Sequence, residues 1–304
     1  LSAVDGRNDV KLASMKNLVY LSYGRGPHEQ ENAFSMLSAY HWLGVGRPDI
    51  RIVVYTDRPE SFEALGVAMV ELDAKTAEEW AGPAGFGHRR KIMAVRDAMQ
   101  RFDGPTALLD GDTYFRRSPH WLFGRIAPGR SVMHLREGRV KSLPGGPHAE
   151  LSSLLQSGPA LTDLAGNVLS LSAATVMWNS GVIGVHPADR HVLDEAIHLT
   201  DQLCSRSKLH TLEQFALGVS LGRQTSLRET GDVVFHYWEG SFRIPFRQRL
   251  PQVLERYASL PLSERARLSY ADRPRSSIRR RCRSAYNRLL RSAGLLPPIV
   301  RSSE

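Results

Sequence analysis

Short apolar runs that end at turn residues alternate along this chain with longer segments whose apolar residues recur at helical spacing, and that alternation restricts it to an α/β architecture. The run Asn17-Leu-Val-Tyr-Leu-Ser-Tyr23 stops at Gly24 and reads as a buried strand followed by a turn. Ala33, Met36, Leu37, Tyr40 and Leu43 then mark one face of a helix over 29–43, which Gly44, Gly46 and Pro48 end. A β-branched run over 50–55 closes on Thr56 and Asp57, and 67–72 forms a third strand before Asp73. Ile92, Val95, Ala98, Met99 and Phe102 predict a helix over 91–102, and Asp103-Gly104-Pro105 breaks the chain before the apolar run 106–109. The stretch 138–166, rich in Gly and Pro, has loop composition and suits a lid. Strand character resumes at 175–178, helices follow over 189–203 and 212–221, and 232–237 reads as a last strand. Three parts result: an N-terminal segment 1–16, a main domain 17–250, and a helical, Arg-rich extension 251–304.

A chain of 304 residues with 42% hydrophobic content can bury a full core. Its net charge of +9 raises the question of nucleic acid, but nine arginines and one glutamate lie between Arg273 and Glu304. The rest is close to neutral and has no cationic field to hold a phosphate backbone, so no nucleic-acid partner is expected. Within 276–291, Ile278, Cys282, Tyr286, Leu289 and Leu290 form one stripe among arginines. Such a helix either lies on an anionic membrane surface or packs its stripe on the domain. Cys204 and Cys282 belong to no ligand cluster, and no apolar run reaches the ~20 residues that span a bilayer. With no hydrophobic leader in 1–16, the expected location is the cytoplasm, at the inner membrane face in the case where the tail lies on the membrane and not on the domain.

The chemistry concentrates in Leu108-Leu109-Asp110-Gly111-Asp112. Two carboxylates spaced by two at the end of a strand project to one side, and Gly111 leaves room for a ligand. Such a pair suits a hard cation, Mn²⁺ or Mg²⁺, shared with phosphate oxygens. Taken alone, Asp-Gly-Asp is as well explained as a solvated turn.

Several separate segments, in order over 17–250, make the chain resemble the GT-A fold glycosyltransferases, in particular the family 8-like nucleotide-diphospho-sugar transferases. The aspartate pair follows a helix that opens on the basic cluster Gly87-His-Arg-Arg-Lys91. Met177-Trp-Asn179-Ser-Gly181-Val182 is similar to the family's Asn-x-Gly segment, and Thr211-Leu-Glu213-Gln214 to its acidic-residue-plus-Gln pair. Phe235-His236-Tyr-Trp-Glu-Gly240-Ser-Phe-Arg243-Ile-Pro245-Phe246 is similar to its closing motif, with one extra residue before Gly240, Arg243 in place of Lys, and Ile244 inserted before Pro245. The resemblance implies a GT-A type Rossmann-like mixed sheet flanked by helices, and a sugar moved from a nucleotide-diphosphate donor, a UDP-sugar foremost, to a glycan or lipid-linked hydroxyl acceptor. It implies a metal held by Asp110, Asp112 and His236; Arg89, Lys91, Gly240 and Arg243 near the phosphates; Asn179 and Gly181 near the sugar; Tyr23 and Asp57 near the base and ribose. Gln214 would lie beneath the donor's reacting carbon in a retaining reaction, while Glu213 or Asp232 would be the base of an inverting one. A place in cell-envelope glycan synthesis would suit the basic tail.

Each segment also has a plainer account: a solvated basic helix start, an ordinary Asn-Ser-Gly turn, an exposed Glu-Gln, a packed His, a helix-capping Asp. A catalytically inactive GT-A-like binding protein and a sugar-nucleotide nucleotidyltransferase are the alternatives. Against the second, Gly24-Arg25-Gly26 is too short for the Gly-rich loop such enzymes carry after their first strand.

Overall fold

Leu18 and Tyr20 face one side of the first strand and Val19 the other, and all three are fully buried, so both faces of the sheet they join must be covered. The computed structural model describes residues 15–46, 49–143, 145–158 and 160–275. Seven strands form the main sheet: β1 (Lys16–Ser22), β2 (Ile50–Thr56), β3 (Ala68–Glu71), β4 (Thr106–Leu109), β6 (Arg130–Arg139), β7 (Val176–Val185) and β8 (Ser226–Glu229), in the order β3-β2-β1-β4-β7-β6-β8. All pair in parallel except β7, which runs against both neighbours, β4 and β6. Two short strands, β5 (Thr113–Phe115) and β9 (Val234–His236), form an antiparallel ribbon of their own.

Helices cover the two faces as the strand alternation demands. One face, with Leu18, Tyr20, Ile52, Val54 and Leu109, packs against α1 (His28–Leu43) and α9 (Leu262–Ala271). The other, with Val19, Val53, Leu108 and Ile183, packs against α2 (Ala74–Ala81), α3 (Arg89–Arg101), α6 (His191–Cys204) and α7 (Leu212–Gln224). A short α4 (His120–Phe123) follows β5, and α5 (Gly146–Ser157) adds Leu151 to a third cluster with Leu199, Leu203 and Phe215. An aromatic cluster of Phe34, Tyr114, Tyr237, Phe246 and Tyr270 joins α1 and the ribbon to α8 (Gly240–Arg256) and α9.

The α/β class and the helix-flanked mixed sheet agree with the sequence pattern, and several details correct it. The expected loop and lid over 138–166 contains α5, whose Leu151, Leu154 and Leu155 have helical spacing that the flanking Gly and Pro residues mask. Asn179-Ser180-Gly181 is not a turn but the middle of β7, where the ladder continues on both sides. The helix expected from Lys91 begins at Arg89. Helix α8 runs across position 250, and Ala266 and Tyr270 of α9 are buried in the same cores as α1. The tail 276–291 and residues 1–14 lie outside the described residues, and among the described residues no helix is long and apolar enough to cross a membrane.

The close stacking of β6, β7 and the chain before β6 makes Gly184 sensitive. A Cβ there would stand 2.4 Å from Val132 Cγ2 and 2.7 Å from Ile126 Cδ1. Gly184→Ala is expected to lower stability by about 1–3 kcal/mol through overpacking, seen as a lower urea midpoint at unchanged slope.

Candidate functional site

Where β4 ends, the chain leaves the main sheet and enters the ribbon within three residues, and both ends of that step are pinned. The Asp110 N–H donates to the Gly181 carbonyl at 3.0 Å, extending the β4–β7 ladder by one rung, and the Tyr237 N–H donates to the Asp112 carbonyl at 2.9 Å. Thr113 pairs with His236 across the ribbon. Helix α1 fixes the ribbon from below: Ser35 Oγ meets Thr113 Oγ1 at 3.0 Å, and the Phe115 N–H donates to Ser38 Oγ at 3.0 Å. Asp110, Asp112 and His236, which are 124 residues apart at the extremes of the latter pair, thereby present ligand atoms all within 4.8 Å of one another.

Gly111 has a different reason from the one the sequence suggested. The space a Cβ would occupy is taken by Asn32 of α1, whose Oδ1 would lie 2.9 Å away, so the glycine admits the helix and not a ligand. Gly181 likewise makes room inside the protein: a Cβ there would fall 2.2 Å from His236 Nδ1, and its absence lets the imidazole lie against β7.

His236 is held from both nitrogens. Its Nε2 is 3.0 Å from Asp112 Oδ1 and its Nδ1 3.0 Å from Asn179 Oδ1. The Asn179 amide is oriented by its own contacts, its N–H donating to Glu137 Oε1 at 3.1 Å and its oxygen accepting the Gly181 N–H at 2.9 Å. Both ring nitrogens thus face oxygen acceptors; were a metal ion to take the Nε2 position, the Asn179 oxygen would keep the proton on Nδ1 and leave the Nε2 lone pair for the ion. Two carboxylates and an imidazole make a donor set that could hold a divalent metal ion, with Asn179 as the outer partner that fixes the ring.

The same carboxylates carry cations of the chain. Lys91 Nζ lies 2.7 Å and 2.8 Å from the two oxygens of Asp110, and 3.7 Å from Glu213. Burial works to lower the lysine's pKa, but Asp110 and Glu213 outweigh it and hold the ammonium above its ordinary range. Burial works to raise the Asp112 carboxyl, and His236 and Arg243 reverse this, holding it well below the usual value. Arg243, in the first turn of α8, donates from Nη1 to Asp112 at 3.0 Å and forks from Nε and Nη2 onto Glu31 at 3.1 and 3.0 Å. Arg247, one turn on, adds a second fork onto Glu31, whose side chain is 0% exposed. Cations at the start of α3 oppose the helix dipole and call for compensating anions, and these are Asp110 and Glu213 for Lys91 and Asp201 for Arg89.

Asp110, Asp112, His236, Asn179, Lys91, Arg243 and Glu31 line one cleft of about 660 Å³, together with Tyr23, Arg90, Glu137, Glu213 and Gln214. Glu213 is buried; one oxygen accepts from Ser180 Oγ at 2.9 Å, and the other has no partner among the described residues. Four expected residues stand apart from the cleft lining. Arg89 forks onto Asp201 at 2.7 and 3.0 Å and joins α3 to α6. Asp57 accepts the Gly24 N–H at 3.0 and 3.1 Å and holds the turn after β1, where Gly24 has φ +79°. Gly240 opens α8. Asp232 forks onto Arg125 at 2.7 Å at the surface, which removes it as a base in the cleft.

Sequence reasoning missed Glu31, Arg90, Glu137 and Arg247. Arg90 takes the place expected of Arg89: its guanidinium lies 4.8 Å over the Tyr23 ring and donates to the Ala77 carbonyl at 2.7 Å. Neighbours in a helix start point in different directions, and a string of three cations does not say which enters the cleft. Glu31 read as an acidic first-turn residue, and nothing local shows partners 212 and 216 positions away. No protein-family model matches the chain, and no curated protein matches it.

Because Gly181 exists to admit the His236 ring, Gly181→Ala is expected to weaken Mn²⁺ binding by about tenfold or more, comparable to loss of an outer-shell partner. Titration of Mn²⁺ by electron paramagnetic resonance measures this, and unchanged affinity in a folded variant would remove His236 from the donor set.

Proposed function

We propose that the chain is a metal-dependent glycosyltransferase of the GT-A kind, moving a sugar from a nucleotide-diphosphate donor to a hydroxyl acceptor. The observation that carries the reading is the convergence of Asp110, Asp112 and His236 with Lys91, Arg243, Glu213 and Gln214 in one cleft at the carboxyl ends of β1 and β4. Ligand sites of open α/β sheets lie at that edge. Five segments that resemble the family 8-like transferases supply these residues in the family's order.

Mn²⁺ or Mg²⁺ held by Asp110, Asp112 and His236 would supply a Lewis acid for the departing diphosphate. In the transfer, the acceptor oxygen bonds to the donor's anomeric carbon, the bond from that carbon to the phosphate oxygen breaks, and its electron pair leaves with the diphosphate. Charge gathers on the phosphates as this happens. Lys91 and Arg243 are fixed in advance by Asp110 and Glu31, so they meet that charge without the cost of rearrangement. Tyr23, backed by Arg90, offers an aromatic face at the cleft mouth for a nucleobase. In an inverting reaction the unpartnered oxygen of buried Glu213 would accept the acceptor's hydroxyl proton, at no desolvation cost beyond the one folding has already met; in a retaining one, with Gln214 beneath the reacting carbon, the departing diphosphate would take that proton.

The test is hydrolysis of a panel of UDP- and GDP-sugars with Mn²⁺, Mg²⁺ or EDTA, since slow donor hydrolysis requires no acceptor. The wild type is expected to release nucleoside diphosphate only with metal, and Asp112→Asn to lose about a hundredfold or more of that rate. If no donor is bound or cleaved under any metal condition, the enzyme reading falls and a binding protein takes its place.

A further inference from the structure

Glu137 belongs to no motif singled out in the sequence, yet its carboxylate sits between the two amides of the cleft. Asn179 donates to its Oε1 at 3.1 Å and Gln214 to its Oε2 at 3.3 Å. Asn179 comes from β7 and Gln214 from α7, so one side chain on β6 spans two elements that approach the cleft separately. The backbone explains how it reaches them. The β6–β7 register shifts between Arg136 and Gly138, which pair with Trp178 and Met177, leaving Glu137 as the extra residue with no partner of its own. Such an irregularity re-aims a side chain, and here it turns a carboxylate into the cleft.

An ionised carboxylate only accepts hydrogen bonds, whereas an amide can present either end. With both nitrogens committed to Glu137, both amides turn their oxygens elsewhere. The Asn179 oxygen then faces Gly181 N–H and His236 Nδ1, the arrangement that directs His236 Nε2 at Asp110 and Asp112. The Gln214 oxygen is the end left for the cleft. We propose that Glu137 is a positioning residue that orients both amides at once, presenting the Gln214 carbonyl to the donor and fixing the metal-binding face of His236 through Asn179. The part that concerns Gln214 rests on the transferase reading, and the part that concerns His236 does not.

The isosteric variant Glu137→Gln tests this against a space-filling role. Its single carbonyl oxygen can serve one amide only, and its own NH₂ meets the NH₂ of the other. Three readouts are compared in wild type, Glu137→Gln and Glu137→Ala: the side-chain amide signals of Asn179 and Gln214 by ¹⁵N–¹H NMR, Mn²⁺ affinity, and donor hydrolysis. At least one amide signal is expected to move in Glu137→Gln, Mn²⁺ affinity to fall about tenfold, and kcat to fall about tenfold or more with KM within about twofold, as for a group that acts at the reacting centre. Glu137→Gln should behave like Glu137→Ala and unlike wild type. Wild-type amide signals and Mn²⁺ affinity in Glu137→Gln would overturn the proposal. Wild-type protein that turns over no donor while the amide signals still respond to the substitution would count against the transferase reading alone.

Discussion

The candidate site depends on one backbone step, the passage from β4 of the main sheet to β5 of the ribbon through Asp110-Gly111-Asp112. One end of the step is a rung of the β4–β7 ladder, the Asp110 N–H on the Gly181 carbonyl, and the other is the Tyr237 N–H on the Asp112 carbonyl. Because both carboxylates ride on that short bridge, their separation is set by two hydrogen-bonded sheets and not by a flexible turn. Gly111 permits α1 to press against the bridge through Asn32, and Ser35 and Ser38 of the same helix hold the ribbon. The main sheet, the ribbon and α1 therefore have to be in place together before Asp110, Asp112 and His236 share one space.

Charge is the second constraint. Asp112, Glu31 and Glu213 are buried carboxylates, and taking each from water costs several kcal/mol unless cations and hydrogen bonds compensate. Lys91 compensates Asp110 and Glu213, while Arg243 bridges Asp112 and Glu31, with Arg247 behind it. Such a network gives little net stability for its size, and its value lies in keeping cations pointed at one place. In the proposed transferase, the cations that neutralise the carboxylates are the same ones that would meet a diphosphate. Arg243 therefore ties the first helix and the aspartate pair to α8, the helix that runs across position 250.

Much of this was legible in the sequence, because the relevant patterns are local. Strand alternation buried on both faces, helical stripes and the position of Asp-Gly-Asp after an apolar run follow from which side chains avoid water within a few residues of one another. The need of α3 for anions near its start was also legible, from the helix dipole alone. By contrast, β6 was invisible: His134-Leu135-Arg136-Glu137-Gly138 alternates poorly, because two register shifts interrupt its pairing with β7. α5 was hidden by the Gly and Pro residues that flank its leucines.

The sequence by itself thus determined the α/β class, the order of most strands and helices, and the residue types able to hold a hard cation. Tertiary structure brought His236, the third ligand that the resemblance implied, beside the aspartate pair, and it alone decided that Arg90 and not Arg89 enters the cleft, that Asp232 faces solvent beside Arg125, and that Glu137 joins two amides from different elements. The physical reason is range. Backbone propensity and hydrophobic periodicity act between near neighbours and leave a repeating trace in the sequence, whereas a charged or hydrogen-bonding side chain chooses its partner by proximity in space, and the partner leaves no periodic mark.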